Sequence, residues 1–127
     1  MLKKTVLTNK APQPIGAYSQ GIITPQNLIF VSGMIGINPK TGEMAKNGTE
    51  GEAKQALENL KAVLEGAGSS LDKVVKTTIF LVDIGDFKQV NQIYSQYFQS
   101  DPPARSCLQV GALPKGARVE IEAIAFV

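Results

Sequence analysis

The sequence predicts an α+β fold: a single domain over residues 1–127 in which a mixed β-sheet carries two helices on one face. Three observations predict it. Short β-branched segments fill the first third, the apolar period becomes helical at Thr49 and again at Asp86, and two apolar strands close the chain. With 127 residues the chain can bury a real core but is too short for two.

The elements follow in order. "TVLT" and "AYSQGIIT" read as strands, then the turn Pro25-Gln26-Asn27 leads into "LIFVSGMIGI". "NPKTGEM", with Gly42 at its tip, signals a hairpin. Thr49 with Glu52 three residues on reads as a capping box. Behind it Ala53, Ala56, Leu57, Leu60, Val63 and Leu64 form one apolar stripe. Gly66 and Gly68 end that helix, since glycine takes the left-handed conformation a helix stop often needs. "KVVKTTIFLVD" is β-branched and apolar enough for a central strand. "DFKQVNQIYSQYF" is a second helix with Phe87, Val90, Tyr94, Tyr97 and Phe98 on one side, and "SDPP" stops it. "RSCLQVGAL" and "RVEIEAIAFV" close the chain as strands joined by "PKG".

The last strand has one face of Val119, Ile121, Ala123 and Ala125, and another that runs from Glu120 and Glu122 to Ile124 and Phe126. Two helices cover only one face of a sheet. The other needs a cover, and another copy of the chain is the expected one.

Composition narrows the chemistry. Thirteen basic and eleven acidic residues leave a net charge of +2 without a basic block, which argues against nucleic acid as a partner. No run approaches the ~18 apolar residues that span a bilayer, and no secretory pattern opens the chain, so a cytoplasmic protein without membrane partners is expected. The single cysteine forbids an internal disulfide and suits a reducing compartment. Histidine is absent, which removes Ser-His and Cys-His nucleophile systems and leaves any zinc site to one cysteine and carboxylates. Acid–base work falls to Glu, Asp, Lys, Tyr or Cys.

With "APQPIGAYSQG", "VSG", "NPKTGE", "NLKAVLEGAG", "VVKTTIFLVD", "VNQIY", "PARSC" and "LPKGARVEIEAIA" assembled, the chain resembles the RidA (YjgF-type) family of reactive-intermediate deaminases over nearly its whole length. The resemblance implies a chorismate-mutase-like fold and a homotrimer around a sheet-lined barrel, with one site at each subunit interface. It implies hydrolysis of 2-imino acids, such as 2-iminobutanoate and 2-iminopropanoate, to 2-oxo acids and ammonia. Such imines leave pyridoxal-phosphate-dependent dehydratases. No cofactor and no metal are implied. Arg105 would grip the substrate carboxylate, and Glu120 would position or activate water. Cys107 would line the site through its backbone more than its sulfur, with Tyr18, Gly33 and Asn91 as further substrate-binding positions. Three residues depart from the family pattern: Ala17 stands for proline, Met34 for glutamine, and Ala112 for arginine. They bear on substrate range before reaction class.

The chemistry suits these residues. A planar guanidinium fork makes two parallel charge-assisted hydrogen bonds to a carboxylate, which a lysine cannot. A carboxyl group with a pKa raised in an apolar wall can both take a proton from water and return one to the imine nitrogen. Other readings stand beside these. On the residues alone Arg105 and Glu120 read first as an interface ion pair, Cys107 as a small buried hydrophobe, and Tyr18 as a strand residue with a surface hydroxyl. Gly33 alone reads as a β-bulge, and Asn91 as a solvated helix position. A non-catalytic regulatory module that binds 2-oxo acids in the same cleft is the alternative function. Register adds a constraint: if "PKG" closes a symmetric hairpin, Glu120 faces Gln109, about 13 Å along the strand from Arg105. A shifted register or a site completed across chains would then be needed.

Overall fold

Side chains that alternate between buried and exposed along the strands build one six-stranded sheet in the computed structural model, which describes residues 2–127. The strands are β1 (Lys4–Val6), β2 (Gly21–Ile23), β3 (Leu28–Ile35), β4 (Val74–Leu81), β5 (Ala104–Gln109) and β6 (Val119–Phe126). Their order in the sheet is β1-β2-β3-β6-β4-β5, antiparallel except for the parallel β4–β5 pair. Helices α1 (Gly48–Gly66) and α2 (Phe87–Tyr97) pack side by side against one face. The α+β class and the single covered face agree with the sequence.

The core lies between helices and sheet. Leu57, Leu60 and Leu64 of α1 meet Ile29, Ile79 and Ile121 of the central strands, all without solvent exposure. The stripe read from the sequence is the buried side of α1. Gly68, with φ of 82°, supplies the left-handed residue just past the helix end. "NPKTGEM" forms a hairpin with one bridge, Ile37 to Met44, and Gly42 takes φ of 75° at its tip.

Three expectations are corrected. The capping box is not formed: α1 starts at Gly48 behind Asn47, which leaves Thr49 and Glu52 inside the first turns. Both are buried and tied elsewhere. Thr49 Oγ1 donates to Asp86 Oδ2 at 2.9 Å, and Glu52 Oε1 accepts from the Arg118 amide at 2.8 Å. Tyr18 precedes β2 in a loop, because the strand begins only at Gly21.

The third correction matters most. The closing strands are not a hairpin. Helix α2 carries the chain across the face so that β5 returns parallel to β4 at the sheet edge, while β6 inserts between β3 and β4. A strand, a crossover helix and a strand naturally give a parallel pair. "PKG" is a tight turn in the connection, with Lys115 at φ of 56°.

No helix among the described residues covers the second face of the sheet. Ile22, Phe30, Ile124 and Phe126 lie on it, with Phe30 43% and Phe126 56% exposed.

Candidate active site

The six residues singled out in the sequence fall into two groups on opposite faces of the sheet. Arg105 and Cys107 alternate along β5 on the helix-facing side, level with the buried Thr77 and Ile79 of β4. Asn91 approaches them from α2: Arg105 Nη1 donates to Asn91 Oδ1 at 2.8 Å. The Arg105 guanidinium carbon also stands 4.8 Å from the ring centre of Tyr94 and 5.3 Å from that of Phe87. Phe87, Asn91 and Tyr94 are spaced four and three residues apart, so α2 presents all three on one face. Among the described residues Arg105 has no carboxylate partner; the one salt bridge is Arg118 with Asp86, at 4.0 Å.

Glu120, Gly33 and Tyr18 form the second group. A cavity of about 680 Å³ opens on the side of the sheet away from the helices, lined by Ile15, Tyr18, Gly33, Ile35, Lys115 and Glu120 among others. The strand pairing β3–β6 is irregular between Val31 and Met34, so Gly33 does sit at a bulge. A Cβ placed on it would come within 2.6 Å of Glu120 Oε2 and 2.7 Å of its Cδ. Glycine is therefore what lets the carboxylate lie against the β3 backbone. Tyr18 is half exposed, and its hydroxyl accepts from the Ile15 amide at 3.4 Å.

Burial, and then the neighbouring charge of Glu122, raise the Glu120 pKa above the ordinary carboxylate value. Burial also raises the Cys107 thiol pKa, against the opposing pull of Arg105. At neutral pH the sulfur carries its proton and is a poor nucleophile.

Within one chain the two groups do not meet. In the sheet Arg105 is level with Thr77 and Glu120 with Phe80, two strand gaps and three residues apart, which is about 14 Å and across the sheet. The ion pair between Arg105 and Glu120 does not exist within the chain. Sequence reasoning missed the aromatic setting of Arg105, although the spacing of Phe87, Asn91 and Tyr94 on α2 carried that signal.

On this α+β sheet one chain thus carries two separate features: a half-buried arginine without a carboxylate partner among the described residues, and a carboxyl group of raised pKa beside an open cavity. The sequence model of the Endoribonuclease L-PSP family matches residues 8–127. The rat protein named 2-iminobutanoate/2-iminopropanoate deaminase is 52% identical over 125 residues, which cover 98% of this chain and 90% of that protein. Among solved structures, a Yersinia pestis member of the conserved Rid protein family superposes with a TM-score of 0.95 at 49% identity, covering 98% of this chain and 99% of that one. Escherichia coli TdcF with bound serine does so with a TM-score of 0.92 at 41% identity, covering 98% of each chain. The chain belongs to the Endoribonuclease L-PSP family, the family of the Rid proteins.

Proposed function

We propose that the protein is a 2-iminobutanoate/2-iminopropanoate deaminase, a cofactor-independent hydrolase of reactive 2-imino acids. The observation that carries this reading is Arg105: a guanidinium fixed by α2, without an acidic partner among the described residues, in a chain half identical to a deaminase of that name.

The substrate is R–C(=NH)–COO⁻, and the products are R–C(=O)–COO⁻ and ammonia. Arg105 forks onto the carboxylate and fixes the imine carbon relative to a water on Glu120. Glu120 takes a proton from that water as its oxygen bonds to the imine carbon, and returns that proton to the nitrogen, which receives the electron pair of the C=N π bond. The resulting carbinolamine then collapses: Glu120 takes its hydroxyl proton as the C=O bond forms and the C–N bond breaks, and passes that proton to the nitrogen, which departs as ammonia. A carboxyl group poised closer to neutrality than usual serves both transfers, worth ~10²- to 10⁴-fold in rate.

Arg105 and Glu120 act together only if one protomer supplies the arginine and another the glutamate. The exposed apolar residues on the face away from the helices support assembly, and the family resemblance supports a homotrimer with its sites at the subunit interfaces. Asn91 and Cys107 would then belong to the arginine side, and Tyr18 and Gly33 to the glutamate side. The half-buried free thiol suits a reducing compartment, and we assign the protein to the cytoplasm on that ground. No helix among the described residues is long and apolar enough to cross a membrane.

The test couples the protein to a pyridoxal-phosphate-dependent dehydratase that releases 2-iminobutanoate and follows 2-oxobutanoate. Faster release with the protein present is expected. Release at the uncatalysed rate at every protein concentration would remove the assignment.

A further inference from the structure

We propose that Thr77 and Tyr94 are a positioning pair that sets the plane of the Arg105 guanidinium; the inference rests on the role given to Arg105 above. Thr77 is fully buried in the middle of β4, on the face where Ile79 and Leu81 pack against the helices. A valine would fill the same volume there without placing a hydroxyl in an apolar layer. Burying a hydroxyl is unfavourable unless it is hydrogen-bonded. Its side-chain oxygen lies 2.7 Å from the Tyr94 hydroxyl, its hydrogen-bond partner in the structure.

That bond ties a ring rooted on α2 to the strand beside Arg105. Thr77 is the residue directly level with Arg105 in the parallel β4–β5 register. The Tyr94 ring, pinned at its hydroxyl by Thr77 and flanked by Phe98 with ring centres 4.6 Å apart, forms a floor under the guanidinium. Cation–π attraction favours the guanidinium over that ring. Asn91 engages one edge, at Nη1. The ring fixes the plane and the amide fixes the rotation within it, which leaves the other donors in one defined direction. Two parallel hydrogen bonds to a carboxylate need that definition. Neither Thr77 nor Tyr94 touches substrate in this scheme; they act through Arg105.

Two near-isosteric variants test the pair: Thr77→Val removes one hydroxyl and Tyr94→Phe the other, and both keep the volume of the core. In each, KM for the imino acid and Kd for the probe 2-oxobutanoate should rise about 5- to 10-fold while kcat stays within about 2-fold. The double variant should be no worse than the weaker single one, because both remove the same bond. Thr77→Ser, which restores the hydroxyl, should bring affinity back. Relaxation of the Arg105 Nε–H group, measured by NMR without any ligand, should show greater mobility in both single variants. Wild-type affinity together with unchanged Arg105 mobility would reduce the pair to core packing and overturn the proposal. If the wild-type protein neither binds 2-oxobutanoate nor hydrolyses the imine, the function proposed above falls; the Arg105 mobility still decides whether the pair positions it.

Discussion

The carboxylate of Glu120 lies across the backbone of Gly33, in the space that a side chain at position 33 would occupy. Strand β6 thereby delivers an acid to a cavity wall formed by β3, and the bulge at residues 32–33 makes the approach possible. The relationship turns one hydrogen-to-methyl exchange into a test of catalysis.

Gly33→Ala should leave the fold standing and damage the reaction. The added methyl would meet the far end of a flexible side chain, so Glu120 swings aside at little cost to the fold. A carboxylate displaced by about 1 Å costs roughly 10²-fold in rate. Steady-state kinetics beside a thermal melt would show a loss of kcat with a nearly unchanged Tm.

Gly36→Ala should do the reverse. Its Cβ would fall 2.6 Å from the Glu52 Cα and 2.7 Å from the Glu52 carbonyl oxygen, inside α1, where the backbone cannot move away. Overpacking of this kind destabilises by about 1–3 kcal/mol. Urea unfolding should show that loss, while the protein that remains folded keeps kcat near wild type.

The pH profile should report Glu120. As the proposed base it must be ionised, so activity should fall as pH drops through its pKa, and burial raises that pKa above the 4.5 of a free glutamate. Glu122 raises the same pKa, so Glu122→Gln should move the acid limb to lower pH. Glu120→Gln should abolish the limb and lower kcat by ~10²- to 10⁴-fold. Rates between pH 4 and 9 check that the Glu122→Gln midpoint lies below that of wild type and that Glu120→Gln shows none.

The helices were legible because periodicity is local: the stripe from Ala53 to Leu64 and the group Val90 and Tyr94 face the core as their spacing says. Motifs singled out Glu120, Gly33 and Arg105, and the structure brings the first two together and leaves the third apart. Strand pairing was not, because it depends on partners distant in sequence. "RSCLQ" and "VEIEAIAF" look like a hairpin when read along the chain, yet β4 and the α2 crossover claim β5 for a parallel edge position. The capping box failed for a related reason. Thr49 and Glu52 have the local pattern, but Asp86 and the Arg118 amide, remote in sequence, take their polar atoms. The register that separated Arg105 from Glu120 assumed a hairpin that does not form; the two are nonetheless two strands apart and on opposite faces of the sheet, so the proposed reaction leaves one choice, a site completed by a second chain.

That choice is open to direct measurement by subunit mixing. Arg105→Ala and Glu120→Gln proteins, each inactive alone, are unfolded together and refolded as mixed oligomers, with mixing verified by mass. If each site takes its arginine from one protomer and its glutamate from another, random assembly leaves about a quarter of the sites intact, and imine hydrolysis returns to about that fraction of wild type. Fully mixed oligomers with no recovered activity would contradict a shared site.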